Sequence, residues 1–208
     1  MKIYDITATI DDNLPTYDGK RPEIKDLMQI KNGDFCNFSI AKISTHTGTH
    51  ADMPLHFVDG TAGNDTVDLS HFYGKAKVFQ LKNITAHITK ADLVPLDINE
   101  GDIVLLGTGQ SKYMSQPTLN ENYFALTAEA AEYLVQKKIK TIGIDYLSID
   151  PYNSPDFSAH KILLSQGITA LEGLVLENVP EGVYTLSALP LKFPGGNGSP
   201  VRAILVKE

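Results

Sequence analysis

The chain has 208 residues, 42% of them hydrophobic, which allows one domain with a substantial core and argues against disorder. A formal charge of −7, with Arg21 and Arg202 the only arginines, excludes a phosphate-tracking surface and favours a small-molecule partner over nucleic acid. Cys36 has no partner for an internal disulfide, charge follows Met1 at once, and no apolar run reaches membrane-spanning length, so a cytoplasmic protein without membrane contact is expected.

In chain order, apolar runs rich in β-branched residues predict strands near 2–10, 37–45, 76–82, 102–106, 140–145, 168–171, 182–188 and 201–206. Thr127 is positioned to cap a helix carrying Ala131, Leu134 and Val135 on one face, and Ser158 to cap a short helix ending before Gly167. Strands outnumber helices, giving an α/β class rich in β. No charge block, repeat or low-complexity tract interrupts the chain, so residues 1–208 are expected to form a single domain. Segments rich in Pro, Gly and Asn at 11–22, 59–68, 107–122, 146–157 and 193–200 exceed minimal turns and are candidate functional loops. Two of them imitate motifs. Gly107-Thr108-Gly109-Gln110-Ser111-Lys112 has the composition of a phosphate loop without its spacing, and Pro194-Gly195-Gly196-Asn197-Gly198 reads as a flexible turn before the last strand.

The densest chemistry lies in His46-Thr47-Gly48-Thr49-His50-Ala51-Asp52-Met53-Pro54-Leu55-His56. Imidazole and carboxylate suit Zn²⁺, Mn²⁺ or Fe²⁺, and no thiolate is near. His46, His50 and Asp52 share a face if the segment is extended, yet strand residues four apart lie ~13 Å apart, too far to meet on one ion. The segment must therefore bend at Gly48 or coil through one helical turn, and Pro54 forbids a long helix. His56 is either a fourth ligand or a free imidazole able to pass protons. His71 and His87 lack comparable company and are expected to be surface or structural residues.

His160 and Glu172 form a second group. A helix over 159–166 rises ~10 Å, and a returning strand over 168–171 retraces a similar length, which would bring Glu172 back toward His160. Asp145, Ser148 and Asp150 follow a core strand and are expected to cap turns and steady metal ligands rather than bind the metal.

The motif His-x-Gly-Thr-His-x-Asp-x-Pro-x-His from His46 to His56, followed by Phe57, resembles the metal-dependent cyclase family that includes bacterial kynurenine formamidase and isatin hydrolase. The resemblance extends through Gly101-Asp102-Ile103-Val104-Leu105-Leu106-Gly107-Thr108-Gly109, Gly143-Ile144-Asp145 with Ser148 and Asp150, His160 with Glu172, and Ser199-Pro200-Val201-Arg202-Ala203. It implies a swivelling β/β/α fold, usually in homodimers or higher homo-oligomers, and two divalent ions, zinc foremost and manganese as the alternative. His46, His50 and Asp52 would bind one ion and His160 the second, with Asp52 and Glu172 bridging. A metal-activated hydroxide would cleave an amide C–N bond, as in hydrolysis of N-formyl-L-kynurenine to L-kynurenine and formate, with His56 shuttling protons. An isatin-type cyclic amide or lactone hydrolase is the alternative within the class, and a metal-dependent binding protein without turnover the alternative outside it. Kynurenine formamidases tend to carry a tryptophan in the first long loop. This chain has none, and Tyr17 best matches that position as a substrate-binding ring.

Overall fold

Residues 103–107 and 142–144 are apolar without alternation, the pattern of strands covered on both faces. In the computed structural model, which describes residues 1–81 and 83–207, they lie at the centre of a nine-stranded mixed sheet. The elements in chain order are β1 (Lys2–Asp5), β2 (Glu23–Met28), β3 (Phe38–Lys42), β4 (His50–Asp52), β5 (Tyr73–Gln80), α1 (Lys90–Leu93), β6 (Ile103–Gly107) and α2 (Ala128–Gln136). They continue with β7 (Thr141–Ile144), α3 (Ser158–Leu164), β8 (Thr169–Glu172), β9 (Gly182–Ser187), β10 (Gly198–Pro200) and β11 (Ile204–Lys207). The large sheet runs β1-β11-β9-β5-β6-β7-β8-β4-β10, parallel from β5 to β8 and antiparallel on both flanks.

Alternation along β6 divides the interior. Val104 and Leu106 face a core shared with Leu93, Leu134 and Leu163 of the three helices. Ile103 and Leu105 face the opposite core, with Phe72, Leu186 and Leu205. A third cluster around Leu14, Met114, Tyr123 and Tyr146 lies under the long loops.

The expected α/β, strand-rich fold is present, with several local differences. The first strand ends at Asp5 instead of reaching residue 10, and Thr7 makes an isolated bridge to Leu174. Position 82, the end of the strand expected over 76–82, lies outside the described residues. Strands β2, β4 and β10 were not expected: half of the first is charged and its apolar residues do not alternate throughout, and the other two have three residues each, too few to display a period. Helix α1 adds a single turn whose Asp92 carboxylate accepts the Thr89 N–H at 2.8 Å.

Thr127 caps α2 as expected, its side chain accepting the Ala130 N–H. Ser158 does not cap α3. Phe157 occupies that position, and the Asp150 carboxylate takes the Ala159 and His160 N–H groups at 2.9 Å each. Strands β2 and β3 pair only with each other, and neither contains a fully buried residue.

Candidate metal centre

Gly48 bends the motif. Its φ of +63° lies in the left-handed region and turns the chain between His46 and His50; of the two expected possibilities, the bend is the one observed. The turn also fits closely against Gly173, where an added Cβ would lie 2.3 Å from the Gly48 carbonyl oxygen. Beyond the bend, β4 is inserted between β8 and β10 and pairs His50 with Glu172 and Asp52 with Gly198. Residues directly opposite on an antiparallel pair share a face, as do residues two apart on one strand, so His50, Asp52 and Glu172 point together. Helix α3 brings His160 to the same place, and a 3-10 turn that begins at Pro54 carries His56.

The donor atoms converge. His50 Nε2 lies 3.4 Å from Asp52 Oδ1 and 3.4 Å from Glu172 Oε2; His160 Nε2 lies 3.4 Å from Asp52 Oδ2 and 3.2 Å from Glu172 Oε1. Two ligands at roughly 2.0–2.2 Å from a tetrahedral ion stand about 3.4 Å apart, so these separations fit a shared divalent cation. Both imidazoles are anchored through the other nitrogen, His50 Nδ1 to the Gly48 carbonyl at 2.9 Å and His160 Nδ1 to Asp150 Oδ2 at 2.6 Å. Anchoring Nδ1 in this way aims Nε2 at the ion position.

The electrostatics agree with this geometry. Burial acts to lower the His50 pKa, but the Asp52 and Glu172 carboxylates outweigh it and raise the value to about 9. Burial of His160 is likewise outweighed, here by Asp150, Asp52 and Glu172, and its pKa is well above the ordinary histidine value. Burial works to raise the Asp52 pKa, but His50, His160 and His46 hold it well below the usual carboxylate range. The field that retains protons on two histidines is the field a divalent cation would occupy, displacing those protons.

His46 stands at the rim, with Nδ1 2.7 Å from Asp52 Oδ1 and Nε2 3.1 Å from Asn197 Oδ1. His56 stacks on it at 4.1 Å between centroids and meets His160 edge-on at 6.0 Å. Two donor groupings result, His46–Asp52–His56 and His50–Asp52–Glu172, with Asp52 common to both. Burial pushes the His56 pKa down to about 4; the surrounding histidines act in the same direction and Asp52 opposes them.

Above these groups opens a cavity of about 290 Å³, small-molecule in scale, bordered by Tyr17, His46, His50, His56, His160 and Glu172, while Asp52 lies fully buried beside them. The seven site residues singled out from sequence are thus brought together. His71 and His87 are elsewhere, the first beside Thr169 Oγ1 at 3.3 Å and the second accepting the Ala125 N–H at 3.3 Å. Asp145 holds the 108–111 loop through the Thr108, Gln110 and Ser111 amides, and Asp150 holds His160.

Sequence reasoning gave no role to four residues at the site, Asn197, Phe57, Tyr152 and Phe157. The supposed flexible turn at 194–198 supplies Asn197 to His46, and an added Cβ at Gly198 would lie 2.4 Å from His46 Cε1. Phe57 stacks on His160 at 4.7 Å. Tyr152 meets the Tyr17 ring edge-on at 5.5 Å, and Phe157, also at the cavity wall, lies 5.7 Å from Phe57. The run of glycines at 195–198 was the available signal for a close approach of backbone to the site.

Comparison with known proteins places the chain in context. The Cyclase family model matches residues 4–151. The kynurenine formamidase of Erythrobacter litoralis is 34% identical over 205 residues, 98% of this chain and 93% of that protein. The structure of a predicted metal-dependent hydrolase from Bacillus stearothermophilus superposes with a TM-score of 0.85 at 37% identity, covering 98% of this chain and 97% of the other. Isatin hydrolase A from Labrenzia aggregata, bound to benzyl benzoate, superposes with a TM-score of 0.86 at 26% identity, covering 100% of this chain and 94% of that one.

Proposed function

Because the chain belongs to the Cyclase family, we propose that it is a metal-dependent hydrolase of amide C–N bonds, with N-formyl-L-kynurenine its leading substrate. The observation that carries this reading is the convergence of His50 and His160 on Asp52 and Glu172 at 3.2–3.4 Å beside a small-molecule cavity. In this reading His46, His50 and Asp52 would hold one divalent ion and His160 a second, with Asp52 and Glu172 contributing to both. Zinc is the first choice and manganese the second, since nitrogen and oxygen donors accept both. When bound, such ions make water acidic enough to supply hydroxide near neutral pH and polarise a carbonyl oxygen.

The chain's own groups do the rest. Asp150 and the Gly48 carbonyl fix the two imidazoles, so the donor atoms need no reorganisation. His56, held at the cavity wall by stacking on His46, takes a proton from the attacking water and delivers one to the departing amine nitrogen. Tyr17 offers an aromatic face to the substrate. The other enzyme reading, an isatin-type cyclic amide or lactone hydrolase, uses the same parts. A binding protein without turnover is disfavoured by the free imidazole of His56.

A hydrolysis screen over N-formylkynurenine, isatin and small formamides, with zinc and manganese supplied separately, tests the proposal. Metal analysis should find up to two divalent ions per chain, lost in Asp52→Ala. Undiminished activity in metal-free protein would overturn it.

The same reading includes one domain, cytoplasmic location and assembly with a second copy. No helix among the described residues is long and apolar enough to cross a membrane. Supporting assembly, the β2–β3 hairpin exposes Ile24, Leu27, Phe38 and Ile40 with no core of its own, and a lone hairpin is marginal in water. Its charges balance, Lys25, Lys31 and Lys42 against Glu23, Asp26 and Asp34, so hairpins of two copies can meet despite the chain's −7. Sedimentation of wild type as a dimer, and of Phe38→Asp/Ile40→Asp as a monomer with unchanged metal content, would support this contact; a monomeric wild type would refute it.

A further inference from the structure

Phe157 breaks two local rules at once. Its φ of +51° and ψ of +51° put a bulky side chain in the left-handed region, where glycine or asparagine is the ordinary occupant. It also sits at the N-cap of α3, where Ser, Thr, Asp or Asn would give the helix a side-chain acceptor, and it gives none. The surroundings compensate. Asp150 caps the helix in its place, and the Phe157 N–H donates to Ser154 Oγ at 3.2 Å.

The other non-glycine residues with positive φ among those described are Lys138, just past the end of α2, and Asn153, a residue type that tolerates this region. Neither resembles an aromatic held there. The side chain that the strain retains borders the cavity, 5.7 Å from Phe57 and 6.4 Å from His160, between ring centroids. Tyr17 lines the same cavity and is braced edge-on by Tyr152. Strain held at a residue lining a binding cavity points to function at that residue.

We infer that Phe157 is a specificity-determining residue: its ring and that of Tyr17 grip the flat aryl group of the substrate, giving the enzyme a preference for aryl over alkyl amides. The inference rests on the hydrolase reading above and names the part of the substrate this wall recognises. No bond is made or broken by Phe157; it acts on binding alone.

The test uses metal-loaded full-length protein and two variants with opposite backbone consequences. Phe157→Gly removes both ring and strain, and Phe157→Leu removes the ring and keeps the strain. Formanilide serves as the aryl substrate and N-butylformamide as the alkyl one. Both variants should raise KM for formanilide about tenfold, the scale of one lost aromatic stacking contact. For both, kcat and metal content should stay within about threefold of wild type, as should KM for N-butylformamide. A purely structural role would instead lower thermal stability; here Phe157→Gly should melt no lower than wild type, and Phe157→Leu should gain nothing.

An aryl-to-alkyl ratio of kcat/KM unchanged in both variants would overturn the inference while leaving the hydrolase reading intact. Calorimetric titration of metal-loaded protein with L-kynurenine separates the two failures. If wild type hydrolyses no amide yet binds L-kynurenine about tenfold more tightly than both variants, the aryl grip stands and the reaction falls. If wild type neither binds L-kynurenine nor cleaves formanilide, the grip itself is refuted.

Discussion

Replacing Asp150 by asparagine changes one atom's chemistry and almost no volume, yet three donors depend on that atom pair. Oδ1 accepts the Ala159 N–H at 2.9 Å, while Oδ2 accepts the His160 N–H at 2.9 Å and His160 Nδ1–H at 2.6 Å. An amide has a single acceptor oxygen. Turned toward His160 it abandons Ala159, and turned toward Ala159 it sets an NH₂ against two further donors. A hydrogen bond to a charged group contributes about 1.5–3 kcal/mol and a neutral one about 0.5–1.5, so one lost bond and two weakened ones amount to roughly 3–5 kcal/mol. The imidazole of His160 also loses its firmest anchor, and disturbing a partner of this kind lowers metal affinity about 10–100-fold.

Urea unfolding of metal-free protein measures the first effect, and competition with a chromophoric chelator measures the second. Asp145→Asn is the control. Asp145 is fully buried and accepts the Thr108 N–H at 2.9 Å and the Gln110 N–H at 3.1 Å, but it makes no hydrogen bond to His160. It should lose comparable stability and keep its metal affinity. Unaltered metal affinity in Asp150→Asn, or equal loss in Asp145→Asn, would refute the claim that Asp150 acts through His160.

Further outcomes are expected elsewhere. His56→Ala should keep its metal and lose about 10²–10⁴-fold in kcat; loss of metal would instead make His56 a ligand within the His46–Asp52–His56 grouping. Gly198→Ala places a methyl group against the His46 ring, which must leave its 2.7 Å contact with Asp52. That variant should lose metal by elemental analysis and about 1–3 kcal/mol of stability, and full occupancy would show that His46 is dispensable. Lys77 is buried between Asp102 at 2.9 Å and Asp97 at 3.0 Å; burial acts to lower its pKa, but these two carboxylates outweigh it and raise it above the ordinary lysine value. A raised lysine pKa means that the ion pair's contribution is complete below the unfolded value of about 10.4 and is lost as pH rises through the folded one. Denaturation of wild type should therefore become easier at strongly alkaline pH, and Lys77→Met should cost about 3 kcal/mol at pH 7 and flatten that alkaline limb.

The parts of this fold legible in sequence are those that a local pattern determines. Strand β6 is a continuous apolar run because both faces are covered, and the Thr127 cap lies three residues from the N–H it accepts. The centre was legible for a related reason: four of its side chains lie within eleven residues, and the bend they need has a glycine to make it. What escaped depends on distant neighbours. Strands β4 and β10 exist because each finds the other across some 150 residues, and three residues carry no readable period. Ser158 carries a capping signature, but the acceptor that caps α3 comes from Asp150, eight residues earlier in the chain. The glycines at 195–198 read as flexibility, whereas Gly198 is small because the His46 ring occupies the space a side chain would need.

The candidate ligands are drawn from β4, β8, α3 and the turn that opens at His46, and β4, which carries two of them and joins that turn to β8, is only three residues long. An ion bound there would act as a clasp on that side of the sheet. Anything that binds only the folded form adds to its stability, by about 2.7 kcal/mol when present at a hundred times its dissociation constant. Metal supply would then set how much protein persists as well as how fast it works: a cell starved of the ion would carry molecules that open more often along β4 and β10, and fewer of them would survive its proteases.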